Sequence, residues 1–248
     1  MRRFKIVLPL LAILIACSPL SLMPGSTPLP DTQDTVNELR ALCCEDGWWK
    51  RLSEAEYKAD EASGNGEELD TGAVFLEGLD ATGERFDVNE YFTVLTHLAL
   101  EDGYVLDYVY FAPGGGDGAP YLYAKPEGEP AFANYSEYKS AGAENYLNHI
   151  QVDGTAEGYY ELALLSVMGG QFYLGWHFGY NDWEVVSSRE RLDEIIKLIN
   201  EEYTPLTEEQ VEDALQLDVT PRVKITGNKV RVQILVFTKW GGFYERVY

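Results

Sequence analysis

The sequence predicts an α+β fold, in which a mainly antiparallel sheet of hairpins and a meander packs against several amphipathic helices. Candidate strands outnumber candidate helices, and short turns join most of them, whereas parallel strands need long crossover connections. The apolar fraction of 46% is that of a globular protein. We therefore predict a single acidic domain that spans residues 36–248.

Helical patterns open this domain. Apolar side chains recur every three or four residues from Thr35 to about Lys58, which predicts a helix packed by one face. A short strand is expected at 72–79. The stretch 87–90 has the form of a capping box, and the apolar residues after it predict a second helix over 88–100.

Strand patterns follow. Runs of β-branched and aromatic residues at 104–111 and 120–124 flank the glycine-rich stretch "PGGGDG" and predict a hairpin with a flexible loop. That stretch lacks the residues of a phosphate-binding loop. The segment 134–150 is weakly helical, and 158–188 predicts a three-strand meander with turns at 169–170 and 179–182.

The last third of the chain predicts two helices and a hairpin. Acceptor residues at 187–188 introduce the amphipathic pattern of 189–203, and Thr207 introduces a shorter one. Apolar and polar residues alternate on both sides of Gly227-Asn228, which is typical of a two-residue hairpin turn.

The chain is strongly acidic. It has 41 acidic and 19 basic residues, a formal net charge of −22. Nucleic-acid binding is disfavoured, since it needs a positive surface for the phosphates. We also expect anionic lipid headgroups to repel the domain.

The first residues predict export. Arg2, Arg3 and Lys5 precede the uncharged apolar run 6–16, which is about half as long as a membrane-spanning helix. This arrangement is that of a signal peptide, residues 1–16.

The end of the run, Leu14-Ile15-Ala16-Cys17, resembles the lipobox of bacterial lipoproteins. The resemblance covers only the first 17 residues. It implies cleavage before Cys17, a diacylglyceryl thioether on its sulfur and usually another acyl chain on the new amino terminus. The expected location is then the cell membrane or outer membrane, through a lipid anchor that holds stably. The alternative is an ordinary secreted protein.

Residues 17–35 are rich in Pro, Ser and Thr and predict a flexible tether. The other cysteines, Cys43 and Cys44, are adjacent, so a disulfide framework is excluded. We interpret them as small, partly buried helix residues, and the alternative is a vicinal redox switch or a metal pair.

No motif in the domain predicts a cofactor or a metal site, and its three histidines lack ligand spacing. The most suggestive segment places His177 just before a turn with Asp182 and Glu184. An imidazole and a carboxylate within hydrogen-bond reach are the minimum for acid–base chemistry. The same composition also suits a sheet edge that has no catalytic role.

The aromatic residues suggest a binding surface for a sugar or peptide. If 171–178 is a strand, Phe172, Leu174, Trp176 and Phe178 form its core face. A ligand could then bind on the opposite face, which carries Tyr173, Gly175 and His177. The candidate ligand-binding residues are Tyr173, His177, Tyr180, Asn181 and Trp183.

These observations favour a membrane-tethered binding module of the cell envelope, with an envelope protein or glycan as its partner. The alternative is an envelope hydrolase with His177 and Asp182 as its acid–base pair, and a third interpretation is a structural protein without a small-molecule site.

Overall fold

A computed structural model describes residues 23–43, 86–114, 117–174 and 182–248. These residues form six α-helices: α1 Gln33–Cys43, α2 Tyr91–Val94, α3 Tyr135–Ala141, α4 Ala156–Met168, α5 Arg189–Glu202 and α6 Glu208–Leu215. They also form nine strands: β1 Thr27–Pro28, β2 Leu98–Leu100, β3 Tyr104–Gly114, β4 Asp117–Pro126, β5 Ile150–Val152, β6 Glu184–Val186, β7 Arg222–Thr226, β8 Lys229–Thr238 and β9 Gly242–Val247. All strand pairings among them are antiparallel, so the predicted α+β class is confirmed.

Strand β8 organises the largest sheet. It pairs with β7 through its first half, with β6 through its second half, and with β9. The predicted turn joins β7 to β8, and Gly227 there has the positive φ of +59° that glycine adopts without strain. The hairpin predicted around Gly227-Asn228 is confirmed.

Helices cover both faces of this sheet. Successive side chains of β8 point to opposite faces, and apolar residues lie on both. Ile234 and Val236 belong to the core cluster that contains α4, while Leu235 and Phe237 pack with α5 and α6 in a second cluster. Ser188 and Thr207 cap α5 and α6 as the sequence predicts, each accepting a hydrogen bond from a backbone N–H of the first turn.

Two smaller sheets complete the architecture. The long hairpin of β3 and β4 confirms the pair of strands predicted around the glycine-rich loop. The other sheet pairs β2 with β5.

The helix predicted over 88–100 is shorter than expected. Asp87 does accept a hydrogen bond from the backbone N–H of Asn89, but only a 3-10 turn at Val88–Glu90 and the short α2 follow. A short apolar run such as 98–100 is compatible with a helix or a strand. Here its pairing with β5 makes it the strand β2.

The three-strand meander predicted over 158–188 is wrong. Its first strand is the helix α4, which begins where the Thr155 hydroxyl accepts the N–H of Gly158, and β6 is its only strand among the described residues. Eight residues of α4 are buried. Because the helix has no polar face, its sequence lacks the periodic change between apolar and polar residues that identifies an amphipathic helix.

Part of the predicted tether belongs to the sheet. Thr27 and Pro28 pair with β7, and Leu29 is buried. The helix predicted from Thr35 begins at Gln33 and is described to Cys43. The continuation to Lys58, the strand at 72–79, Cys44 and the signal peptide lie outside the described residues.

Within the described ranges, the structure has no helix with the length and apolar character needed to cross a bilayer.

Candidate functional site

A groove of about 870 Å³ lies beside the β3–β4 hairpin. Residues from β4, α3, the 3-10 turn Tyr146–His149, the end of α4 and the turn after it line the groove, together with Trp183, which precedes β6. The following side chains and backbone segments contribute to its wall: Ala119, Pro120, Tyr121, Leu122, Tyr138, Ala143, Asn145, Tyr146, Ser166, Val167, Gly170, Gln171, Leu174 and Trp183. None of these described lining residues is charged, although charged residues make up 24% of the chain.

Tyrosines form one wall of the groove. Tyr121 projects from β4, and Tyr138 lies on α3, with the two ring centroids 6.4 Å apart. Tyr135 lies between them in the same aromatic cluster, 4.8 Å from the ring of Tyr121. Such offset and tilted ring contacts stabilise the wall as a unit.

Local sequence signals place this wall. Asn134 caps α3 by accepting the N–H of Glu137, and Gly142 ends the helix in the left-handed conformation. The helix is only seven residues long, so its contacts with β4 decide where Tyr138 lies.

The groove tyrosines are neutral at physiological pH. Burial, followed by the neighbouring Tyr135, raises the pKa of both Tyr121 and Tyr138. Burial raises the pKa of Tyr146 strongly, and its hydroxyl donates to the carbonyl of Leu165 at 3.2 Å. Phenolic groups of this kind can offer a neutral ligand O–H donors and ring faces.

Trp183 and Gln171 stand on the other side. The backbone N–H of Trp183 donates to the Gln171 side-chain oxygen at 3.0 Å. The guanidinium carbon of Arg246 lies 3.2 Å from the centroid of the Trp183 ring, a cation–π contact that links β9 to the groove.

Buried tyrosine hydroxyls hold the turn that follows α4. Tyr91 donates to the carbonyl of Gly169 at 2.8 Å, and Tyr110 donates to the carbonyl of Tyr173 at 2.7 Å. These bonds fix the position of Gly170 and Gln171 in the wall.

The structure separates the residues that the sequence singled out. Trp183 lines the groove, whereas Tyr173 is only 1% exposed and packs against Phe172 and Tyr108 in the core. Tyr173 has a φ of +53°, so 171–174 is a turn and the strand alternation expected there is wrong. The candidates His177, Tyr180, Asn181 and Cys17 lie outside the described residues.

The two candidate carboxylates are ion-pair partners. Arg40 of α1 lies 3.4 Å from Asp182 and 3.9 Å from Glu184. Arg191 of α5 donates to the buried Glu184, and the resulting hydrogen bond raises the pKa of Arg191. The network ties α1 and α5 to β6, and such a structural role accounts for both carboxylates.

Sequence reasoning missed two imidazole–carboxylate pairs, of which the first joins His97 and Asp153. His97 Nδ1 lies 2.7 Å from Asp153, whose other oxygen accepts the hydroxyl of Thr155 at 2.6 Å. The Thr155 hydroxyl, then His97, lowers the pKa of Asp153 to about 2, and the Asp153 hydrogen bond raises that of His97. No local pattern could reveal this pair, because 56 residues separate its members.

A second pair stands at the opposite end of the β2–β5 sheet, where His149 lies 2.9 Å from Glu101. The two pairs lie at the two ends of the β2–β5 sheet, where each connects residues that flank the two strands. This position indicates a structural role. Within the described ranges, no group of three or more His, Cys, Asp or Glu residues could hold a metal ion.

No protein-family model, curated protein or solved structure matches this chain.

Proposed function

We propose that this protein is an exported lipoprotein, anchored through Cys17, whose α+β domain binds a neutral glycan of the cell envelope. The observation that carries the ligand class is the uncharged lining of the groove in a chain with a net charge of −22. A charged ligand would have to move from water into the groove, where no lining residue could form an ion pair with it. That transfer is unfavourable.

Aromatic rings and amides together suit an oligosaccharide. Sugar rings have apolar C–H faces that can pack on Tyr138 and Trp183, and hydroxyl groups that can bond to Asn145 and Gln171. The volume of the groove, about 870 Å³, is within the usual range for small-ligand sites.

Calorimetry with full-length protein would test binding. The probes are chitotetraose and maltotetraose as neutral glycans, and an uncharged tetrapeptide of similar length. We expect a glycan to bind and Tyr138→Ala to lower its affinity about 30-fold, the loss typical of an aromatic residue central to an interface.

Tyr203→Ala is the matched control, because Tyr203 is an exposed tyrosine, 43% accessible, that follows α5. It should leave glycan affinity unchanged, and both variants should keep the melting temperature within a few degrees of wild type. Binding of the tetrapeptide alone, or equal affinities for wild type and Tyr138→Ala, would contradict the proposed site.

Intact mass and membrane fractionation would test the anchor. Wild-type protein should begin at Cys17, carry diacylglyceryl mass and partition with membranes, and Cys17→Ala should lose the lipid mass and mature cleavage. Release of wild-type protein without lipid would contradict the anchor and leave the glycan site to be judged by calorimetry alone.

A further inference from the structure

Positive charge is concentrated at one end of this acidic chain. Residues 222–248 contain six of the 19 basic residues and only one of the 41 acidic residues. The local charge is therefore opposite in sign to that of the molecule.

The register of β7 and β8 brings four of these cations to one face. Opposite residues of an antiparallel pair project from the same side, and the pairs here are Arg222 with Gln233, Lys224 with Arg231, and Thr226 with Lys229. Asp218 neutralises Arg222 at 2.9 Å. We call Lys224, Lys229 and Arg231 the cationic face; Lys229 and Arg231 are exposed.

This arrangement is unfavourable within the protein itself. Lys224 and Arg231 are like charges placed directly opposite each other, which weakens strand pairing. An anionic surface held against the face would remove that repulsion.

The tether joins the fold at the same hairpin. The Lys224 ammonium donates to the carbonyl of Pro24 at 2.6 Å, and Thr27 pairs with Val223 of β7. The six residue steps from Cys17 to Met23 span at most about 22 Å, at 3.3 to 3.6 Å per residue. A lipid on Cys17 would therefore keep the cationic face close to the bilayer.

We propose that the cationic face docks on anionic phospholipid headgroups of the membrane that holds the anchor. The inference rests on the lipid anchor of the proposed function and deepens it, because the anchor attaches the domain and the face orients it. The expectation that headgroups repel the domain then applies to the acidic remainder of the chain.

Lysine labelling on vesicles would test the inference. Mature protein, which begins at the acylated Cys17, is reconstituted into vesicles of phosphatidylcholine, with or without phosphatidylglycerol, and flotation records attachment. An amine-acetylating reagent then labels exposed lysines, and mass spectrometry compares Lys229 with Lys197, whose side chain is 72% exposed on α5.

We expect Lys229 to be labelled about fivefold more slowly on the anionic vesicles than on the neutral ones, the effect of one cation near an anionic surface. Lys197 should be labelled equally on both. High salt should abolish the difference without releasing the protein, because it screens charges and leaves the lipid anchor intact.

Arg231→Glu should remove the protection of Lys229, whereas Lys139→Glu, the same charge change at an exposed lysine of α3, should keep it. Flotation with equal Lys229 labelling on both vesicle types would overturn the docking face alone. Failure of the protein to float would overturn the anchor and the docking face together.

Discussion

The two long hairpins of the molecule, β3–β4 and β7–β8, share antiparallel pairing but carry different side chains. The first contains six aromatic residues and a single lysine, whereas the second contains four basic residues and a single aromatic one. The aromatic hairpin supplies a wall of the uncharged groove, and the basic hairpin supplies the cationic face. One backbone unit thus yields two surfaces of different chemical character.

The largest expected difference between the hairpins is in stability. Tyr108 of β3 is 1% exposed and packs among aromatic rings, so Tyr108→Ala should lower the free energy of unfolding by about 3–5 kcal/mol. Ile225 of β7 is 49% exposed, and Ile225→Ala should change that energy by less than about 0.5 kcal/mol. Urea unfolding would measure both changes in free energy, provided that its dependence on urea concentration keeps the wild-type slope. Equal losses in the two variants would contradict the predicted difference between the hairpins.

A smaller effect is expected where β9 reaches the groove. Arg246→Ala removes the cation over the Trp183 ring and should lower stability by about 0.5–1 kcal/mol, with a modest loss of glycan affinity. Lys239→Ala, at an exposed lysine near β9, should change neither quantity. If the Arg246 variant bound glycan as wild type does, Trp183 would not need this contact.

The basic hairpin should become more stable when a charge is reversed. Arg231→Glu replaces the repulsion with Lys224 by attraction, and we expect a gain of about 0.3 kcal/mol in the free energy of unfolding. Lys139→Glu should give no gain. A loss of stability in Arg231→Glu would contradict the inferred repulsion between Lys224 and Arg231.

The smallest effect concerns the pH dependence of the β2–β5 sheet. Because the folded pKa of His97 is raised, its pairing with Asp153 stabilises fully below the unfolded pKa and is lost as pH rises through the folded pKa. Glu157 and Glu161 also face this imidazole and act in the same direction. The side chains of His97 and Asp153 are 38% and 40% exposed, so solvent screens the pair.

Amide hydrogen exchange, corrected for its intrinsic pH dependence, would measure this effect. Protection of β5 should fall as the pH rises from about 6.5, the ordinary pKa of histidine, through the raised pKa of folded His97. Protection of β8 should stay constant, because Lys and Arg do not titrate in this range. His97→Gln should abolish the change in β5. A parallel fall in both strands would indicate a global effect instead.

The two hairpins also show which features a sequence can reveal. Turn residues and alternation are local, so both hairpins were predictable from short windows. Helix α4 was mistaken for a strand because apolar residues surround its axis, and only packing against the sheet distinguishes the two. Local pattern therefore predicts amphipathic elements better than fully buried ones.

The residues that line the groove were predictable only in part. Aromatic residues indicated a binding surface, and Trp183 was identified, but Tyr121, Tyr138 and Tyr146 come together from three separate elements. Asp182 and Glu184 drew attention by their proximity to His177, whereas the partners that the structure reveals are the distant Arg40 and Arg191. Contacts of this range have no signature in a single sequence.

The central claim is that the two hairpins serve separate partners, and one crossed experiment tests it directly. Glycan affinity and Lys229 protection are measured on the same acylated protein, bound to anionic vesicles, for wild type, Tyr138→Ala and Arg231→Glu. We predict that Tyr138→Ala loses only glycan affinity and that Arg231→Glu loses only Lys229 protection. If either variant lost both properties, or neither variant changed its own, the division between an aromatic and a cationic hairpin would be contradicted.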